Sequence, residues 1–249
     1  MGTLASTDDC LLDLWEEGQR RAVAVVLDQL HNIDDAVLIE LLAAPDLTES
    51  GLLEVAARAE QIQARAGRKA LEFQLPERLN SLGSALLACG WKAERDSFVM
   101  ERAATLLELP LPAGLRWRDL GPADVLAYHR LIQVVFAEDP GMQVQDMASF
   151  KTMTLQREIP IRLLIHRGRP IAFTRVSRQG DIGSIDTLGR HPSWRGRKLG
   201  PLLLAEALRL LEGSRCIRLG VSGSSLTARR LYARYGFVQI ERWIAYLKR

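Results

Sequence analysis

Cysteine is scarce in this chain. Three in 249 residues, Cys10, Cys89 and Cys216, lie far apart with no C-x-x-C pair. That excludes a disulfide framework and a thiolate metal cluster, and the three read as reduced, buried thiols. The four histidines, His31, His129, His166 and His191, show no i, i+4 pairing and no cysteine partner, so no metal site is expected. Aromatic residues make up 6% of the chain, too few for a base-stacking platform. No helix-turn-helix or zinc-finger spacing appears either, so nucleic acid is not an expected partner. Long apolar runs are missing: 22-AVAVVL-27 falls far short of the roughly 20 residues that span a bilayer. The opening MGTLASTDDC has no cationic region and no apolar stretch of the secretory kind. A cytoplasmic protein with no membrane partner is the expectation.

What is present is ordinary for a globular chain, with 47% apolar and 25% charged residues. The net charge of +3 hides a split. Residues 1–110 carry 10 Lys and Arg against 19 Asp and Glu, whereas residues 111–249 carry 23 against 11. The basic half favours a polyanion, either a nucleic acid or a phosphate-rich cofactor. Between the halves, 106-LLELPLPAGLRWRDLGPAD-124 is rich in Pro and Gly and reads as a linker leading into a new unit. Two domains are expected, 1–110 and 111–249.

Periodicity in the second half gives the order β-α-α-β-β-β-α-β-α-β. Leu115–Leu120 reads as a strand and Pro122 to Glu138 as a helix, followed after a polar stretch by a second short helix. Residues 161–190 read as three strands with turns at Arg167–Arg169 and Gln179–Asp181. A helix over Leu199–Leu211, a strand over 216–222, a helix over 224–236 and a strand over 237–248 complete it. In the first half, Ala22–Gln29, Ala36–Ala44 and Ala70–Gln74 read as strands. Thr48–Ala66 reads as a helix with Ser50 as cap. The segment 79-LNSLGSALLACGWKAERDSFVMER-102 echoes 226-LTARRLYARYGFVQIERWIAYL-247: helix, Gly-aromatic stop, charged strand. This points to a duplication whose first copy has lost its opening elements.

The stretch 190-RHPSWRGRKLG-200 joins a strand to a helix. A helix N-terminus carries free N–H groups and a partial positive charge, and glycines let a backbone curl around an anion. Arg195, Arg197 and Lys198 add full charges. Spacing alone leaves two readings open: a pyrophosphate cradle, or an ordinary strand-to-helix turn with solvated cations.

This turn, the order of elements and 225-SLTARRLYARYGF-237 together resemble the GNAT superfamily of acyl-CoA N-acyltransferases. Arg195, Leu199 and Gly200 match its Arg/Gln-x-x-Gly-x-Gly/Ala turn. Ala228, Leu231, Tyr232, Gly236 and Phe237 match its later motif. Lys198 replaces a Gly, Pro201 removes one N–H, and Ser225 stands where Asn is usual. The resemblance covers 115–249 well and 20–102 loosely. It implies a mixed α/β fold, with a central splayed sheet flanked by helices and preceded by a partial, cofactor-free copy of the same fold.

The resemblance also implies acetyl-CoA as co-substrate, without metal, and direct attack on the thioester by an amine of a small molecule, peptide or protein. It would place CoA on Arg195, Gly196, Arg197, Lys198, Leu199, Gly200 and Ser225. The backbone of Leu188, Gly189 and Arg190 would pair with the cofactor's amide-bearing arm, Gly189 easing the approach and Ser222–Ser225 lining the other side. For that arm to enter, the strand before the turn must part from the strand after the helix. Tyr232 is the candidate acid for the leaving thiolate, with a core role as the alternative. Asp186, alternating with Ser184 and Leu188 on one strand face, is the leading candidate base, with a structural arginine pair as the alternative. Glu138 and Asp139 are further candidates; His129 and Cys216 read as structural. A catalytically inactive acyl-CoA-binding relative is the alternative function.

Overall fold

The computed structural model describes residues 3–6, 11–16, 19–27, 36–43, 48–66, 70–137, 147–156 and 160–249. They form two compact units. The first holds residues 1–98, Ser222–Ser224 and Glu241–Arg249; the second holds Val99–Val221 and Ser225–Ile240.

The first unit contains strands β1 (Thr3–Ser6), β2 (Leu11–Glu16), β3 (Gln19–Leu27), β4 (Ala36–Ala43) and β5 (Ala70–Pro76), with helices α1 (Glu49–Ala66) and α2 (Asn80–Ala88). Strand β6 (Lys92–Ala103) begins here, and β12 (Val238–Lys248) ends here. β1 to β4 pair antiparallel in sequence order; β4 and β5 pair parallel; β12 pairs antiparallel with β5, from Trp243↔Pro76 to Lys248↔Leu71. Helices α1 and α2 cover one face. Their Leu52, Val55, Leu82 and Leu86 pack on Leu71, Phe73, Leu75, Trp91 and Tyr246. The Tyr246 hydroxyl fills the space a side chain at Gly83 would need. On β5, Glu72 is 2% exposed, and its carboxylate is held by Arg95 and by Gln74. A buried charge survives only when so paired.

The second unit begins with the rest of β6 and the linker. It continues through β7 (Leu115–Asp119), α3 (Val125–Val135), α4 (Met147–Gln156), β8 (Ile161–His166), β9 (Arg169–Gln179), β10 (Ile182–Arg190), α5 (Leu199–Leu210), β11 (Cys216–Ser222) and α6 (Leu226–Arg234), ending with the start of β12. β7, β8, β9 and β10 pair antiparallel; β10 and β11 pair parallel around the α5 crossover. Helix α3 covers one face, where Tyr128 and Leu131 pack on Leu163, Ile165 and Phe173. Helix α5 covers the other, where Leu199, Leu202 and Leu203 pack on Leu164, Ile171 and Ala172. The buried Thr174 hydroxyl donates to Leu203 O at 3.1 Å, tying α5 to β9.

The element order of the second half and its mixed sheet agree with the expectation, and several details differ. The boundary between units falls at Phe98/Val99, not 110/111, because the second half of β12 pairs with β5 and so belongs to the first unit. Strands β1 and β2 precede the first element read from sequence. Helix α1 is capped by Thr48 rather than Ser50: the Thr48 hydroxyl accepts the Gly51 N–H at 3.1 Å. Residues Pro122–Asp124 form a 3₁₀ turn before α3 instead of its first turn. Cys216 is buried as expected, but Cys89 is exposed; Cys10 lies outside the described residues.

Candidate functional site

The turn between β10 and α5 is built on two left-handed residues. His191 accepts the Ser193 N–H on its ring, and Pro192 opens a single 3₁₀ turn that spends the Arg195 N–H on Pro192 O at 2.9 Å. Gly196 then takes φ +78° and Lys198 takes φ +54°. Gly196 adopts this freely, whereas Lys198 bears the steric cost of a Cβ against the following carbonyl. Lys198 caps α5. Among the described residues, no turn bond uses the N–H groups of Gly196 to Gly200. Pro201 falls at the third helical position, where an N–H has no intrahelical partner in any case.

Trp194 holds this turn to the body of the unit. Its ring packs with Leu188, Leu199 and Leu202. His166 meets it edge-on at 4.8 Å, and the Arg197 guanidinium lies over its face at 4.7 Å. The contact is a cation–π pair. Gly200 faces Leu231 of α6: a Cβ there would come within 3.0 Å of Leu231 Cδ2. Close packing of α5 on α6 therefore accounts for this glycine.

β10 and β11 pair at Ile182↔Cys216, Gly183↔Ile217, Ser184↔Arg218 and Ile185↔Leu219, and there the ladder stops. Beyond it Thr187–Arg190 continue along β9 alone. The parting coincides with a β-bulge. Ile185 faces Val176 and Thr187 faces Arg175, so Asp186 is the inserted residue. On β11 the next position is Gly220, beside which a side chain would meet open space. Among the described residues, the backbone of Asp186–Arg190 on the β11 side therefore has no strand partner, and a slot opens at Asp186.

The bulge corrects two expectations. Asp186 and Leu188 do not share a face: the inserted residue breaks the alternation, so Leu188 joins the α5 cluster while Asp186 meets Arg175 and Ser177. Gly189 owes its small size to the core, because a Cβ there would land on the ring of fully buried Phe173.

Asp186 accepts a hydrogen bond from the Ser177 hydroxyl at 2.7 Å and lies 3.7 Å from Arg175 Nε. Tyr232 packs against Phe237, with ring centroids 5.9 Å apart. Burial pushes its phenol up to about 12, and the nearby Arg190 guanidinium offsets part of that rise. Asp186 and Tyr232 thus have different partners. Ser225 is exposed at the head of α6, where its carbonyl accepts the Arg229 N–H. Ser222–Ser224 fall in the first unit, where the Gly223 N–H binds Asp96 O. Glu138 and Asp139 lie outside the described residues. His129 is buried with its ring 4.7 Å from Phe150, a packing position. Cys216 donates to Glu101 at 3.5 Å, and burial pushes its thiol up. Arg175 and Trp194 escaped the sequence reading, because only the fold brings Arg175 beside Asp186 and His166 behind Trp194.

A cavity of about 560 Å³ also opens in the second unit, between the linker Leu106–Leu111 and α5. None of the residues named above as cofactor or catalytic candidates lines it. The curled cationic turn and the adjoining slot have the features an elongated phosphate-bearing ligand requires, and the cavity has neither.

Residues 135–237, which include the bulge, the turn and Tyr232, match the model of the acetyltransferase (GNAT) family. Among solved structures, a GCN5-related N-acetyltransferase from Sphaerobacter thermophilus is 21% identical with a TM-score of 0.77, over 98% of this chain and 82% of that one. A tandem GNAT protein from the clavulanic acid biosynthesis pathway is 17% identical with a TM-score of 0.71, over 96% and 82%. A GCN5-related N-acetyltransferase from Kribbella flavida is 15% identical with a TM-score of 0.65, over 92% and 86%. These likenesses establish a shared fold. No curated protein matches the chain.

Proposed function

We propose, from the GNAT-family match over residues 135–237, that this chain is an N-acyltransferase, moving an acetyl or related acyl group from CoA to an amine. The observation that carries the reading is the parting of β10 from β11 at Asp186, four residues before the cationic turn begins. A slot edged by unpaired backbone suits an arm that bears amides, and a curled turn beside it suits a diphosphate. In this reading the N–H groups of Gly196–Gly200 with Arg195, Arg197 and Lys198 hold the diphosphate. Leu188, Gly189 and Arg190 pair with the arm, and Ser225 borders the same ligand. The amine nitrogen attacks the acyl carbon, the carbon–sulfur bond breaks, the ammonium proton passes to Asp186, and Tyr232 protonates the thiolate. A phenol at about 12 gives up its proton less readily than a free one, at roughly 1.4 kcal/mol per unit. The slot must therefore hold the thiolate equally short of water. The first unit is read as a partial copy of the same fold that takes no cofactor.

Two measurements test this. Acetyl-CoA in large excess should raise the melting temperature. Free thiol should then appear when a panel of amines is added. A melting temperature indifferent to acetyl-CoA ends the CoA reading; stabilisation without thiol release from any amine leaves only a binding protein.

A further inference from the structure

We infer that the acceptor is an amine carrying its own neighbouring carboxylate, an amino acid or like zwitterion, held with its nitrogen at Asp186 and its carboxylate at Arg175. This rests on the acyl-transfer reading and gives it a substrate class.

Position comes first. Asp186 is the inserted residue of the bulge, one step past the last β10–β11 pair, so its backbone stands at the mouth of the slot while its carboxylate meets Ser177 and Arg175 of β9. A nitrogen bound there adjoins the place where the thioester arm would enter. Across the slot, Gly220 leaves open space.

Chemistry comes second. The Ser177 hydroxyl occupies Oδ1 of Asp186 at 2.7 Å, and Oδ2 faces Arg175 Nε at 3.7 Å. That separation exceeds a hydrogen bond, and among the described residues the buried Arg175 Nε has no hydrogen-bond partner. The two side chains are 32% and 23% exposed, so solvent reaches both. They cancel each other's charge at a distance while leaving hydrogen-bonding capacity unspent. The exposed part of the Arg175 guanidinium can take a bound anion.

Charge selects among amines. An isolated aspartate would attract any ammonium, polyamines and aminoglycosides included. Arg175 beside it offsets part of that attraction for a bare cation. An α-amino acid meets both charges at once, since its ammonium and carboxylate are separated by a single carbon. A peptide N-terminus brings the ammonium without the carboxylate and gains from only one of them. In the reaction, the bound ammonium gives its proton to Asp186 and the freed nitrogen takes the acyl group, while the carboxylate on Arg175 stays unchanged.

The test compares matched acceptors by thiol release from acetyl-CoA. Each of the common amino acids is assayed against its decarboxylated amine and against its amide, which stands in for a peptide N-terminus. The best amino acid should exceed both counterparts in kcat/KM by at least about tenfold. Arg175→Met should collapse that ratio through a raised KM for the amino acid, and Arg175→Lys should restore part of it. Melting curves of both variants verify folding. Amines or amides acetylated as well as, or better than, the amino acids overturn the inference while leaving acyl transfer intact. So does a folded Arg175→Met that keeps the ratio. If acetyl-CoA stabilises the protein but no acceptor releases thiol, the zwitterion assignment fails; if acetyl-CoA does nothing, both readings fail together.

Discussion

Lys198 shows how a single side chain can pay for a turn. It holds φ +54°, a conformation that suits glycine, at the cap of α5. Lys198→Gly should therefore raise stability by about 1 kcal/mol, offset in part by the freer unfolded chain. Chemical denaturation measures it, and a loss of stability would mean that the ammonium contributes more than the strain costs. Tyr232 gives a second test. Its phenol titrates at about 12 in the folded chain and near 10 in the unfolded one. Between those values the folded state keeps a proton the unfolded state has released, so stability falls as pH rises through this window. Tyr232→Phe removes that slope. Melting temperatures of the two proteins from pH 9 upward should converge as the wild type loses its advantage; parallel curves would mean an unshifted phenol. Lys198 was legible in the sequence as the odd residue in a Gly position. The core contact of Gly189 and the bulge at Asp186 were not, because a ring from β9 and a register shift set them, and neither leaves a mark in spacing.

The bulge governs the element as a whole. One inserted residue turns Leu188 toward α5 and Asp186 toward Arg175, and the β10–β11 ladder ends at the same point. Deleting Asp186 should restore strict alternation, leave Thr187 to Arg190 on the faces their β9 partners set and favour continued pairing with β11. The expected result is a protein that still folds, with Leu188 kept against α5, and that no longer gains melting temperature from acetyl-CoA. A deletion variant that binds acetyl-CoA normally would separate the slot from the bulge. Periodicity disclosed the order β7-α3-α4-β8-β9-β10-α5-β11-α6-β12 because each element buries one face at its own repeat. It could not disclose where the ladder stops, since unpaired and paired backbone share one alternation pattern.

At the scale of the molecule, both shared strands change allegiance midway: β6 at Phe98/Val99 and β12 at Ile240/Glu241. Residues Glu241–Arg249 supply the first unit with Tyr246, which is 2% exposed in a core with Leu71, Phe73 and Trp91. A chain ending at Ile240 should thus lose the packing of the first unit, at a cost of more than about 4 kcal/mol. Trp91 is 2% exposed, so its fluorescence should shift to the red. An unshifted spectrum would show that β5 and the two helices hold that core unaided. The composition shift near residue 110 carries no sign of the interleaving of the two compact units, which depends on where β12 finds its partner.

That interleaving bears on how the protein is made. On the ribosome, residues 1–98 emerge first, yet their sheet lacks a member until the whole of the other unit has been translated. The nascent first unit must therefore wait with an open flank, and a slow codon run or a bound chaperone between residues 99 and 240 would lengthen that exposure.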